Sequence, residues 1–200
     1  MIVKIYSDNP NQRELDRVIE ALEQGEVIIY PTHTGYAYGC DAMQARSVEK
    51  ICQLKGADPK KKRLSIMCEN LSMAAEYCRI NNEAFRYIKE QEPGSCTFVL
   101  PVGSSLPKIF KNQKELGLRL ASHPLSKLLC QSLGRPILSS SLPYDEENPE
   151  YKTDPELIAE KYGLTVELIV DGGVVNGGYS AIVNCCSDPF EVIHEGKKQL

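Results

Sequence analysis

The sequence predicts one α/β or α+β domain built on a twisted, mixed β-sheet with helices packed against it. Three observations carry this. Short apolar runs alternate with amphipathic stretches, but irregularly. Several of those runs follow one another without room for a helix, which favours a mixed sheet. Finally, 200 residues with 42% hydrophobic and 25% charged suffice for one ordinary core, and no repeat or low-complexity segment divides the chain.

Each element has a local signature. IVKIY opens as a strand, and Leu15, Val18, Ile19 and Leu22 then fall at helical spacing, with Asp8 or Asn9 available as cap and Gly25 as stop. VIIYP is a continuous apolar run ended by Pro31, the pattern of a strand covered on both faces. PTHTGYAYGC, Pro31 to Cys40, reads as a polar loop leaving it. AMQARSVEKICQL is a helix with Ala45, Val48, Ile51 and Cys52 on one face, and KGADPKKKR is a basic loop leading into the strand LSIMC. Asn70 caps LSMAAEYC, and NNEAFRYIKEQ is a second amphipathic helix stopped by Pro93-Gly94. CTFVLP and ELGLRLAS are strands, PLSKLLCQSLG a helix with Pro124 in its first turn, and PILSSS a strand running into hydroxyls. YDEENPEYKTD is polar and turn-rich, a mobile excursion. DPELIAEKYG is a helix, VELIVDGG a strand entering a glycine turn, and SAIVNC with FEVIHEG a closing strand pair.

Composition narrows the function. MIVKIYSDNPNQRELD lacks the apolar core of an export signal, and no apolar run approaches the roughly 18 residues that cross a bilayer. A soluble, cytoplasmic protein without a membrane partner is expected. The eight cysteines are scattered, with no CxxC and only Cys185 and Cys186 adjacent, so they read as free thiols. No structural metal is expected from such spacing. A net charge of −4 argues against bulk nucleic-acid binding. Lys55, Lys60, Lys61, Lys62 and Arg63 nevertheless form a local basic patch that suits phosphate or RNA, and equally a solvated loop. P-loop, dinucleotide and GxSxG signatures are missing, and His33, His123 and His194 stand far apart.

Chemistry-bearing residues collect where strands stop: PTHTGYAYGC, the Lys55 loop, LRLASHP around Arg119, SSSLP from Ser139 to Pro143, and GGYSAIVN with Ser180. Ligands gather beyond strand ends because the loops there converge. Backbone N–H groups, hydroxyls and two fixed cations are the inventory for phosphate and carboxylate binding. Arg119, flanked by Leu118 and Leu120, needs a partner, and a structural carboxylate or an anionic ligand would satisfy it. Lys55 at a helix end can instead offset the helix dipole, and Ser139-Ser140-Ser141 can be a capped strand end. His33 suits a surface imidazole as well as a catalytic one.

Taken in order, PTHTGYAYGCDA, ICQLKG, EPGSCTFVLP, LGLRLASHP, GRPILSSSL and YSAIVN resemble the YrdC family over nearly the whole chain. The short LSSSLP and the G-Y-A loop resemble its YciO branch. The resemblance implies a single YrdC-like α/β domain over residues 1–200 without an extra C-terminal domain. Its sheet would be mixed but largely parallel, flanked by helices around a concave basic cavity. It also implies a nucleotidyltransferase that makes threonylcarbamoyl-adenylate from ATP with Mg²⁺, L-threonine and bicarbonate, for threonylcarbamoyladenosine modification of tRNA. On that pattern Lys55 and Ser141 are catalytic. Thr32, Thr34, Tyr36, Arg119, Ser139 and Ser180 bind substrate and nucleotide, and Lys60, Lys61, Lys62 and Arg63 form an RNA or phosphate patch. The chain departs from the pattern at six places. His33 replaces an acid, Ala37 a glycine, Ala57 an arginine, Pro143 an asparagine, Asn184 an aspartate and His194 an arginine. Two alternatives remain beside the synthase reading: a non-catalytic, double-stranded RNA-binding or translation-associated module, and a domain binding another small anion.

Overall fold

The structure is a computed structural model, and it describes residues 1–58, 63–111, 113–143 and 145–196. In chain order the elements are β1 (Ile2–Lys4), α1 (Gln12–Glu23), β2 (Ile28–Thr32), β3 (Gly35–Asp41) and α2 (Ala45–Leu54). Next come β4 (Ser65–Cys68), α3 (Leu71–Tyr77), α4 (Asn82–Glu90), β5 (Cys96–Pro101), α5 (Lys108–Lys111) and β6 (Glu115–Leu120). The chain continues with α6 (Pro124–Leu133), β7 (Ile137–Ser141), a 3-10 turn (Pro149–Lys152), α7 (Pro155–Tyr162), β8 (Leu168–Asp171), β9 (Ala181–Asn184) and β10 (Glu191–His194). The strands form one sheet in the order β1-β8-β2-β3-β7-β4-β6-β5-β9-β10.

The sheet is mixed, as expected, but not largely parallel. β1 with β8, β8 with β2, β4 with β6 and β5 with β9 run parallel, and the other five pairings are antiparallel. The reason lies in PTHTGYAYGC, which is not a loop. β2 runs through Pro31 to Thr32, turns over His33 and Thr34, and returns as β3 with Thr32 opposite Gly35. A two-residue connection can only join antiparallel strands. Gly35 takes φ +125°, backbone a side chain rarely adopts. Thr32 Oγ1 closes the turn by donating to the Gly35 carbonyl at 2.6 Å.

Period-two alternation divides the sheet between two cores. In β2, Ile28 and Tyr30 pack with Leu15, Val18 and Leu22 of α1 and Leu125, Leu129 and Leu133 of α6. Ile29 faces the opposite side, where Val48 and Ile51 of α2, Ala84 and Ile88 of α4, and Ile158 of α7 meet Tyr36, Ile66, Phe98 and Leu118. β6 places Leu116 and Leu118 in this larger core. Its next residue, Arg119, sits in register with Met67, which belongs to the smaller core. The strand period therefore turns a cation away from the main core.

Several local readings need correction. The cap of α1 is Asn11, whose side chain accepts from Arg13 N at 3.0 Å, rather than Asp8 or Asn9. Asn70 and Asn81 cap α3 and α4. YDEENPEYKTD is tied down: Asp145 pairs with Lys161 at 3.0 Å, Asp154 caps α7, and Lys152 is buried. The short α5, which no periodicity announced, buries Phe110. All eight cysteines are free thiols, and seven are buried. Among the described residues no helix is long and apolar enough to cross a membrane.

One close contact makes the sheet sensitive to a single methyl group. A Cβ on Gly39 would lie 2.6 Å and 2.8 Å from ring atoms of Tyr30, which is fully buried. Gly39→Ala is expected to lower stability by about 1–3 kcal/mol, read as a lower urea midpoint with unchanged slope.

Candidate functional site

Arg119 is the pivot of the site. Only 6% of it is exposed, yet among the described residues no carboxylate stands within ion-pair distance of it. Nη2 donates to Thr34 Oγ1 at 3.0 Å and weakly to the Gly94 carbonyl at 3.5 Å. Nε is buried with no acceptor. Burial lowers the guanidinium's pKa from its usual value, but arginine starts so high that it stays charged. A buried charge without a counterion is costly, so the fold keeps Arg119 for something that brings negative charge.

Two cavities meet at this residue. The smaller, about 280 Å³, is lined by Arg119, Lys55, Arg63, Ser139, Ser141 and Ser180 among others. The larger, about 480 Å³, has Thr32, His33, Thr34, His123, Gly178 and Tyr179 in its wall. Arg119 lines the first and hydrogen-bonds Thr34 of the second, so one guanidinium stands between them.

The hydroxyls of the smaller cavity are oriented by their neighbours. Tyr30 is fully buried, and that burial pushes its phenol well above the ordinary range, so it remains a donor. It donates to Ser139 Oγ at 2.8 Å, leaving the serine's own proton to donate onward. Ser180 and Thr97, also on the wall, share a hydrogen bond at 3.1 Å. Lys55 closes α2 and donates from Nζ to the Ser141 carbonyl at 2.8 Å, which ties the lysine to the end of β7. Arg63 pairs with Glu115 at 2.9 Å.

The structure therefore gathers Lys55, Arg119, Ser139, Ser141, Ser180 and Arg63 on one cavity and puts Thr32 and Thr34 on its neighbour. Tyr36 lies elsewhere. It is fully buried, and its hydroxyl accepts from Gly172 N at 3.1 Å and donates to the Gly173 carbonyl at 2.8 Å. Tyr36 thus anchors the turn after β8 instead of facing a ligand. Lys60, Lys61 and Lys62 lie outside the described residues. Ala57 is on the wall of the smaller cavity. Pro143 follows β7, and His194 is exposed on β10.

Sequence reasoning missed Lys152. It sits in the most acidic stretch of the chain, yet only 8% of it is exposed. Its Nζ donates to the Gly178 carbonyl at 3.3 Å and lies 5.2 Å from the Tyr179 ring centre. The only sequence signal was a lysine among acids just before the Asp154-Pro155 helix start.

His123 begins α6, and its Nδ1 accepts from Leu125 N at 3.2 Å, which requires the neutral ring. Burial, then the neighbouring His33, lower its pKa from the usual 6.5. A base whose pKa falls on folding binds fewer protons in the native state, so its contribution is intact above about 6.5 and lost below it. Stability is expected to fall as the pH is taken from 7 to 5. His123→Asn keeps a capping acceptor and should flatten that segment of the urea-midpoint profile.

Comparison with known proteins places this geometry. The model of the Sua5/yciO/yrdC family, described as telomere recombination, matches residues 20–196. The chain is 34% identical to YciO of Escherichia coli (strain K12), itself an uncharacterized protein, over 96% of this chain and 93% of YciO. It is 31% identical to threonylcarbamoyl-AMP synthase of Pseudoalteromonas translucida over 69% of this chain and 75% of that enzyme. The crystal structure of E. coli YciO superposes with TM-score 0.88 at 31% identity, covering 100% of this chain and 97% of its own. P. abyssi Sua5 complexed with L-threonine shares the fold at TM-score 0.85 and 22% identity, over 98% of this chain and 57% of Sua5. From its matched span and its likeness to YciO in both sequence and fold, the chain belongs to the Sua5/YciO/YrdC family, on the YciO side of a family that includes threonylcarbamoyl-AMP synthases.

Proposed function

We propose that the chain binds an adenylate carrying an amino-acid-derived carbamoyl group, and acts as a slow threonylcarbamoyl-AMP synthase. The observation that carries this is Arg119, a buried cation with an unsatisfied Nε standing between two cavities. On this reading the smaller cavity takes the phosphate, with Lys55, Arg119, Ser139, Ser141 and Ser180 around it. The larger cavity takes the threonine part beside Thr32 and Thr34. The relatives named threonylcarbamoyl-AMP synthases and the Sua5 complex with L-threonine support that division of the site.

The reaction balances without a further co-reactant. The threonine nitrogen bonds to the bicarbonate carbon with loss of water, and a carboxylate oxygen of the resulting carbamate attacks the α-phosphorus of ATP. The bond to the β-phosphate breaks and pyrophosphate leaves. Mg²⁺, riding on the polyphosphate, would offset its charge. The chain's own contribution is positioning: donors fixed around the phosphate, and two reactants held in adjoining spaces.

Speed is where the departures from the family pattern enter. Ala57 lines the smaller cavity at the position where active synthases carry arginine. One lost charge-assisted hydrogen bond is worth about 1.5–3 kcal/mol, which corresponds to about 10- to 100-fold. With labelled bicarbonate, labelled adenylate is expected only when ATP and L-threonine are both present, at about 10- to 100-fold below a synthase control. Arg119→Met should abolish it while leaving the unfolding midpoint unchanged or higher, because a buried charge without a carboxylate is replaced by an apolar side chain. Absence of labelled adenylate together with salt-dependent affinity for double-stranded RNA would overturn the synthase reading in favour of a nucleic-acid-binding module.

A further inference from the structure

We propose that Lys152 is a ligand-binding residue of the larger cavity, and that its ammonium takes the carboxylate of the amino-acid part of the substrate. This rests on the reading that the site holds an amino acid beside a nucleotide.

The argument begins with an ammonium poorly provided for. Lys152 is buried to 8% exposure, and an ammonium carries three donors. The hydrogen bond it makes, to the Gly178 carbonyl, is 3.3 Å long, beyond the roughly 2.7–2.9 Å of charge-assisted bonds. Among the described residues no carboxylate pairs with it. The Tyr179 ring centre, 5.2 Å away, supplies only the soft attraction of a π face. Burial, and then the like charge of Arg119, both lower the lysine's pKa, so the two cations stand close enough to repel. Two buried cations facing one region are a poor structural device and a good anion receptor.

The position selects the anion. A Cβ on Gly35 would come within 3.1 Å of both Cγ and Cε of Lys152 and 3.0 Å of its carbonyl oxygen. The lysine stem therefore lies along the β2–β3 turn, on the backbone that carries Thr32 and Thr34. Its ammonium ends at Gly178 and Tyr179, which belong to the wall of the larger cavity with those threonines. The hydroxyls and the lysine suited to phosphate line the smaller cavity instead. A carboxylate entering the larger cavity would replace the long bond to the Gly178 carbonyl with a charge-paired one. Arg119 would remain for the phosphate.

The test compares L-threonine with L-threoninamide, which lacks the carboxylate charge, by calorimetric titration of the full chain in saturating AMP. Wild type is expected to prefer threonine. Lys152→Met should weaken threonine about 10- to 100-fold and leave threoninamide unchanged, and Lys152→Arg should retain the preference. A variant melting no lower than wild type shows that the fold is intact. Should the methionine variant not fold, Lys152→Gln, which keeps a polar end without the charge, is titrated in its place and the same contrast is expected. Equal losses for both ligands, or no loss, would overturn the role of Lys152 while leaving the amino-acid site standing. Wild type binding neither ligand would overturn the site reading and this inference together.

Discussion

The arrangement depends on one unbalanced charge. Arg119 lies in a strand whose neighbours Leu116 and Leu118 are fully buried, and its guanidinium is held by a threonine hydroxyl rather than a carboxylate. Burying a cation without a counterion costs several kcal/mol, a large fraction of the stability of a domain this size. Two extensive cores, one on each face of the sheet, supply the surplus. The charge in turn fixes the surroundings. Thr34 must sit at the tip of a tight hairpin to reach it, and that hairpin requires the left-handed Gly35 beside which Lys152 lies.

The hairpin also explains why binding residues from distant parts of the sequence converge. β3 pairs with β2 on one side and β7 on the other, so Gly39 stands beside Ser139 and Ala37 beside Ser141. Tyr30, from β2, crosses beneath Gly39 to orient Ser139, which is possible only because Gly39 has no side chain. On the other side of the turn, Tyr36 uses its hydroxyl on Gly172 and Gly173 and so anchors the start of the segment that carries Gly178. The residue types in PTHTGYAYGC therefore divide between the cavity walls and the frame. Thr32, His33 and Thr34 face a cavity, while Tyr36 and Gly39 hold the frame.

Much of this was legible in the sequence, for identifiable reasons. Arg119 stood out because a guanidinium between leucines violates strand patterning, and the structure supplies the missing half: no carboxylate answers it among the described residues. Asn70 announced its helix through ordinary capping chemistry. The hairpin was not legible, because Thr32-His33-Thr34-Gly35 lacks the Asn-Gly or Asp-Gly signal of a two-residue turn. Tyr36 misled because a phenol in a polar stretch looks like a ligand contact, whereas its actual partners are backbone groups 136 and 137 positions away. Lys152 was hidden by its neighbours, since DEENPEYKTDPE reads as solvated acid. Burial of one lysine within it depends on where a 3-10 turn falls, which local periodicity does not encode.

The distribution of fixed charge bears on which ligand the site favours. At the smaller cavity Ala57 contributes no charge, and Arg63 is occupied by Glu115 at 2.9 Å. Toward the larger cavity stand Arg119 and Lys152, two buried cations without carboxylates among the described residues. On the proposed reading this asymmetry weakens the grip on a polyphosphate and strengthens it on a phosphate monoester joined to a carboxylate. A site so charged binds the adenylate better than it binds ATP. Binding a product tightly relative to a substrate slows turnover, because only interactions gained in the transition state accelerate the chemical step. The family's chemistry and its attenuation in this chain then have a common origin: charge has been removed from the leaving-group side and retained on the side that holds the amino acid.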